Sequence, residues 1–191
     1  MTYIQKTKNS KGFTILELMI ATTIFSTILL LCTYGLIQVG NTYYKGATTA
    51  RTQAVARSII DDISYEIQYG TVKPQIITSP LLVCIGSTRF SAKLDTKVTG
   101  GVHGLLFDKN ATSGCRAPAL GSGKELLGEN MRLTKFEVKG NTPINPSFYT
   151  IKINVVYGDD DLIDGDNCKG VLGNQFCASA YLETSIRRRK S

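Results

Sequence analysis

Apolar positions are unevenly spread along the chain. From Phe13 to Val39 the only charge is Glu17 and the only amide is Gln38. That run exceeds the ~20 residues a helix needs to cross a bilayer. The helical pattern then continues in a different form. Val55, Ile59, Ile63 and Ile67 recur every four residues, and Ala56 and Ile60 widen the stripe. Arg51, Arg57, Asp61, Asp62 and Glu66 fall between them as solvated positions. The pattern predicts one long helix with an apolar half and an amphipathic half, ending near Gly70. Its stripe is suited to packing on its own domain, or more rarely on another subunit.

After Gly70 the period changes from helical to two. In residues 148–157, FYTIKINVVY, one face carries Ile151, Ile153, Val155 and Tyr157. Residues 176–186 place Ala178, Ala180, Leu182, Thr184 and Ile186 on one face. Shorter strand candidates are Leu82–Gly86, Val102–Phe107 and Met131–Lys139. Together these predict an α+β chain, a long helix packed on an antiparallel sheet with long loops. No internal repeat is visible.

Charge and cysteine usage orient this layout. The formal net charge is +7. Lys6, Lys8 and Lys11 precede the apolar run with no acid among them, which reads as a cytoplasmic flank. The domain after the run is then extracytoplasmic, and its remaining positive excess is too mild to imply nucleic-acid binding. Cys32 lies inside the run, whereas Cys84, Cys115, Cys168 and Cys177 lie beyond it. An even number in an exported domain favours two disulfides, with four free thiols in a reducing compartment as the alternative. Three pairings are possible, of which Cys84–Cys115 with Cys168–Cys177 is the simplest. Zinc is disfavoured, because no CxxC pair or cluster with His exists.

A secretory signal would have a shorter apolar core and a small-x-small cleavage site. A plain anchor would explain the lysines and the length but not Glu17, since a carboxylate in hydrocarbon is costly. The stretch Gly12-Phe13-Thr14-Ile15-Leu16-Glu17, after a basic leader and before LMIATTIFSTILLL, resembles the processing motif of type IV pilins and type II secretion pseudopilins. The resemblance implies cleavage between Gly12 and Phe13 by a prepilin peptidase and N-methylation of Phe13. It implies that Glu17 docks against the Phe13 amine of a neighbouring subunit. It also implies a division into a leader (1–12), a transmembrane or filament-core half-helix (13–40), an amphipathic half-helix (41–70) and a β-rich extracytoplasmic domain (71–191). Expected partners are other pilin subunits, the peptidase, an inner-membrane assembly platform, and membrane lipid before assembly. No enzyme activity, cofactor or nucleic acid is required.

Many pilins carry a proline within the apolar half. Here that neighbourhood reads Thr33-Tyr34-Gly35. Gly35 and Gly40 can supply softness instead, at about 1 kcal/mol each relative to Ala. The ending, Cys177-Ala-Ser-Ala-Tyr-Leu-Glu-Thr-Ser-Ile-Arg-Arg-Arg, is similar in texture to the last strand of larger minor pilins, including J-type pseudopilins. A minor pilin or pseudopilin in a priming or tip complex is the leading expectation. A pilus-tip adhesin or DNA-uptake binding subunit is the alternative.

Other residue groups invite chemistry and have simpler readings. Asp159, Asp161, Asp164 and Asp166 offer oxygens for calcium. The EF-hand register fails there, because Leu162 and Val171 fall on ligand positions, and a solvated acidic loop is the alternative. Arg187-Arg188-Arg189-Lys190 reads as a solvated basic tail or a contact for DNA or anionic lipid, with no aromatic residues interleaved. His103, the only histidine, lies in a glycine-rich turn without a nucleophile motif beside it. Gly121-Ser122-Gly123-Lys124 is half of a phosphate loop without the full pattern, and Asn110-Ala111-Thr112 is a formal glycosylation sequon.

Overall fold

A computed structural model describes residues 12–109, 114–116, 123–142, 146–170 and 173–189. The chain forms two compact units, Met1–Asn41 and Thr42–Ser191. Helix α1, Ile15–Tyr69, contributes to both. Lys6, Lys8, Lys11, the sequon, Val171 and Lys190 lie outside the described residues.

In the first unit the apolar side chains of α1 are exposed, among them Ile15, Leu16, Met19, Leu30 and Leu31. Its threonine and serine hydroxyls are bonded within the helix. Thr22 and Thr23 donate to Met19 O, Ser26 to Thr22 O, Thr27 to Ile24 O and Thr33 to Leu29 O. A hydroxyl bonded to its own helix adds little polar cost in hydrocarbon, where any unmade hydrogen bond is expensive. This is the helix long and apolar enough to cross a membrane.

In the second unit α1 buries Thr52, Ala56, Ile59, Ile60, Ile63 and Ile67. The stripe matches the expected positions, with Val55 only half-buried and Thr52 added. Thr52 is tolerated inside because its hydroxyl donates to Thr48 O at 2.8 Å. The helix stops at Gly70, whose amide still donates to Glu66 O at 2.8 Å. A Cβ at Gly70 would stand 2.4 Å from Glu66 O and 2.6 Å from Ile85 Cγ2. Only glycine lets the chain turn into the sheet this closely.

Five strands follow as an antiparallel meander in chain order: β1 Gln75–Thr78, β2 Leu81–Ile85, β3 Thr88–Ala92, β4 Leu105–Asp108 and β5 Lys124–Glu125. β1 and β3 lie where no strand was expected, because each is short and QIIT and TRFSA are too brief to establish a period. Gly86, at φ 62°, opens the two-residue turn between β2 and β3. The expected strand from Val102 begins only at Leu105. Thr99 pairs with Val102 across the tight Gly100-Gly101 turn, and Gly104 donates its amide to the Glu125 carboxylate instead of a ladder.

A second sheet has the order β10-β7-β6, from β6 Met131–Gly140, β7 Phe148–Tyr157 and β10 Ala178–Arg187. In β6 the buried positions are Met131 and Leu133, then Phe136 and Val138. The phase changes because the register shifts between Leu133 and Lys135, a bulge that returns apolar side chains to the core. β7 turns Ile151, Ile153 and Val155 toward one core, which also holds the α1 stripe, Val83, Phe90, Leu105 and Ala180. Its Val156 faces the other way, into a small cluster with Ile163 and Cys177. A hairpin of β8 Ile163–Asp164 and β9 Asn167–Cys168 completes that end. The architecture is α+β, a long N-terminal helix packed against antiparallel sheet, as the periodicity predicts.

Candidate functional site

The N-terminal segment is built around a helix start. Gly12, Phe13 and Thr14 precede α1, and Phe13 is 86% exposed. Thr14 O accepts from Leu18 N at 3.2 Å, which makes Thr14 the N-cap. Thr14 Oγ1 accepts from Glu17 N at 3.2 Å, while the Thr14 amide and hydroxyl donate to Glu17 Oε2 at 2.9 and 3.1 Å. Threonine at the cap and glutamate three residues later form a reciprocal capping box. The carboxylate also stands at the positive end of the helix dipole. This local partner of Glu17 is additional to the expected amine, and its signal in the sequence is Thr14-x-x-Glu17. Among the described residues no contact requires glycine at position 12, where a Cβ would meet nothing within 4 Å.

The four cysteines beyond α1 form two bonds, Cys84–Cys115 and Cys168–Cys177, with Cα separations of 5.7 and 5.8 Å. The second closes a loop that α1 grips directly. Lys45 Nζ donates to Asn174 O at 3.0 Å, to Asn174 Oδ1 at 2.8 Å and to Cys177 O at 2.6 Å. Partial burial pulls the lysine pKa below its usual range. Thr48 Oγ1 donates to Gln175 O at 3.3 Å. Sequence reasoning missed Lys45, because its partners lie far along the chain and two of them are backbone carbonyls.

The acidic stretch does not converge. Asp159 pairs with Lys97 at 2.5 Å, and Asp160 pairs with Arg132. The Arg132 guanidinium holds the Asp160 carboxyl below its ordinary pKa. The Asp161 carbonyl accepts from Lys169 Nζ at 3.0 Å. Asp164 and Asp166 flank Gly165, at φ 56°, in the turn between β8 and β9, and the Asp166 carbonyl accepts from Asn154 Nδ2 at 2.8 Å. Among the described residues no three His, Cys, Asp or Glu side chains gather as a metal site would need.

The basic tail has partners. Arg188 donates to Gly70 O at 3.3 Å and to Thr71 O at 2.8 Å, just past the end of α1. The last turn of α1 carries no basic residue of its own, so Arg188 supplies the cation that the helix C-terminus favours. Arg189 lies over the Tyr69 ring at 5.3 Å and Arg187 over Phe148 at 5.9 Å. His103 Nδ1 is 3.4 Å from Glu125 Oε2. That carboxylate is already occupied by the amides of Gly104, Leu105 and Leu127 at 2.8, 2.9 and 3.0 Å, which fix the start of β4.

No curated protein and no solved structure matches the chain. Residues 7–33 match the family described as the prokaryotic N-terminal methylation motif. The match runs from ahead of Gly12 through the capping box into the exposed apolar part of α1, and it supports placing this chain with the type IV pilins and pseudopilins.

Proposed function

We propose that the chain is a minor type IV pilin or pseudopilin of J-type character. A prepilin peptidase cuts between Gly12 and Phe13, Phe13 is N-methylated, and the subunit enters a pilus or pseudopilus as part of its priming or tip complex. The observation that carries this reading is the methylation motif placed directly on an exposed, membrane-competent helix. In this reading residues 1–12 are a cytoplasmic leader, 13–40 span the membrane and later line the filament core, 41–70 are the amphipathic half-helix, and 71–191 form the extracytoplasmic domain. The freedom of space at Gly12 supports a requirement for glycine that comes from processing rather than from folding.

Before cleavage the nitrogen of Phe13 is an amide. Cleavage makes it an amine, cationic near neutral pH. A carboxylate has about four lone-pair sites, so Glu17 can keep its Thr14 contacts and still accept from the Phe13 amine of a neighbouring subunit. Two opposite charges meeting in an apolar core relieve each other's desolvation. The pair therefore selects one axial position for the incoming subunit. Partners are other pilin subunits, the peptidase, the assembly platform and, before assembly, lipid. The role is structural and uses no cofactor.

The adhesin or DNA-uptake reading is favoured by one observation. Phe148 and Tyr69 place aromatic rings beside Arg187 and Arg189, the interleaving that the tail sequence lacks. Intact mass of the exported protein tests the main reading: the species expected lacks residues 1–12 and carries one added methyl group. A retained leader would refute it.

A further inference from the structure

Three aromatic side chains in the second unit are exposed beside one another without an assigned role. Tyr43 and Tyr44 are 72% and 54% exposed, and Phe176 is 50% exposed. Tyr44 stands between the other two, with ring centroids 6.1 Å from Tyr43 and 6.0 Å from Phe176. The tyrosines come four and five residues after Val39, the end of the apolar run. Phe176 comes from the distant 3-10 turn Asn174–Phe176.

That turn is held firmly in its exposed position. Cys168–Cys177 closes the loop, Lys45 bonds to both ends of the segment, and Thr48 bonds to its middle. Leaving a phenylalanine half in water forgoes a large share of what burial of such a side chain contributes. Here the loop is fixed so that the ring stays outward. From Thr42 to Ile60 the helix carries Lys45, Arg51 and Arg57 and no acid. Tyrosine and phenylalanine rings next to the end of an apolar span, with no carboxylate along the same helix segment, match the amphipathic chemistry of the bilayer headgroup layer.

We infer that Tyr43, Tyr44 and Phe176 form an aromatic seat that enters the headgroup layer of the membrane before the subunit is assembled. The inference rests on the reading that 13–40 span the bilayer. Lys45 is the positioning residue, because it fixes the Phe176 turn beside Tyr44.

The chain contains no tryptophan, so single substitutions report on one site each. The full chain is reconstituted in vesicles of phosphatidylethanolamine and phosphatidylglycerol, with quenchers either at the headgroup or deep in the acyl chains. F25W tests the span, Y44W and F176W test the seat, and Y65W serves as the solvent control. Expected results are deep quenching for F25W, loss of most emission to the headgroup quencher for Y44W and F176W, and iodide quenching alone for Y65W. Adding K45M should restore most of the F176W emission while Y44W remains quenched. If F25W is quenched but F176W behaves like Y65W, the seat is refuted while the membrane reading stands. If F25W escapes the deep quencher, the membrane reading fails and the seat with it. Protection of F176W that appears only in assembled filaments would assign the surface to a neighbouring subunit and overturn the proposal.

Discussion

The Thr14 amide donates to Glu17 Oε2 at 2.9 Å, and the Glu17 amide donates back to Thr14 Oγ1 at 3.2 Å. The acid in the apolar helix thus has work to do within its own subunit. The cap and the proposed docking role can be separated by substitution. Thr14→Val should cost the helix start about 1 kcal/mol, read as roughly fivefold faster amide exchange at Glu17 and Leu18. Glu17→Gln keeps an acceptor for the cap but removes the charge. It should leave cleavage and membrane insertion intact and abolish filament incorporation, scored by the subunit's presence in sheared filaments. Normal incorporation of Glu17→Gln would show that charge pairing does not drive docking.

Lys45 holds three oxygens of the Cys168–Cys177 loop to α1. Lys45→Met keeps the aliphatic stem and leaves those oxygens without this donor. Hydrogen bonds to charged groups contribute about 1.5–3 kcal/mol, and partial exposure places the expected loss at the lower end. Thermal unfolding of the full chain in detergent should show a lower midpoint, with faster amide exchange from Asn174 to Cys177. An unchanged midpoint and unchanged exchange would mean that the disulfide alone fixes the loop.

Gly70 is surrounded closely by Glu66 O and Ile85 Cγ2. Gly70→Ala should destabilise the second unit by about 1–3 kcal/mol, the range for forced overpacking. In an open helix-end position the same change would be neutral or stabilising, so the sign of the measured difference in a denaturant melt decides.

The two disulfides close loops of different length, with sequence separations of 31 and 9. Chain entropy assigns about 4 kcal/mol to the longer and about 3 kcal/mol to the shorter. Cys84→Ala/Cys115→Ala should therefore lower stability more than Cys168→Ala/Cys177→Ala. The reverse order would indicate that the shorter loop matters through the Lys45 contact rather than through entropy.

Asp160 gives a pH dependence of known sign. Arg132 lowers its folded pKa below the ordinary 3.8. A carboxylate depressed in the folded state contributes its stability above the unfolded pKa and loses it as pH falls through the folded value. The contribution is thus complete above about pH 5 and fades below pH 3.8. Arg132→Met should return the Asp160 midpoint, followed by carboxyl chemical shift, to near 3.8.

The sequence by itself determined what depends on near neighbours. The unbroken apolar run, the four-residue recurrence through Ile67 and the alternation in residues 148–157 each repeat long enough to define their element. Gly12, Phe13 and Glu17 stand within six consecutive residues, so their motif was legible without a fold. Short strands such as β1 and β3 were not, because four or five residues hold too little period to tell from loop. Tertiary structure alone decided which distant groups meet. It set Lys45 against Asn174 and Cys177, placed Phe176 beside Tyr44, and dispersed the acidic stretch onto Lys97 and Arg132. It also turned the basic tail back onto the end of α1. The physical reason is shared by all four. Each contact joins a long side chain to a carbonyl, ring or carboxylate far away in sequence, and only packing of the helix and sheets around one core fixes those separations.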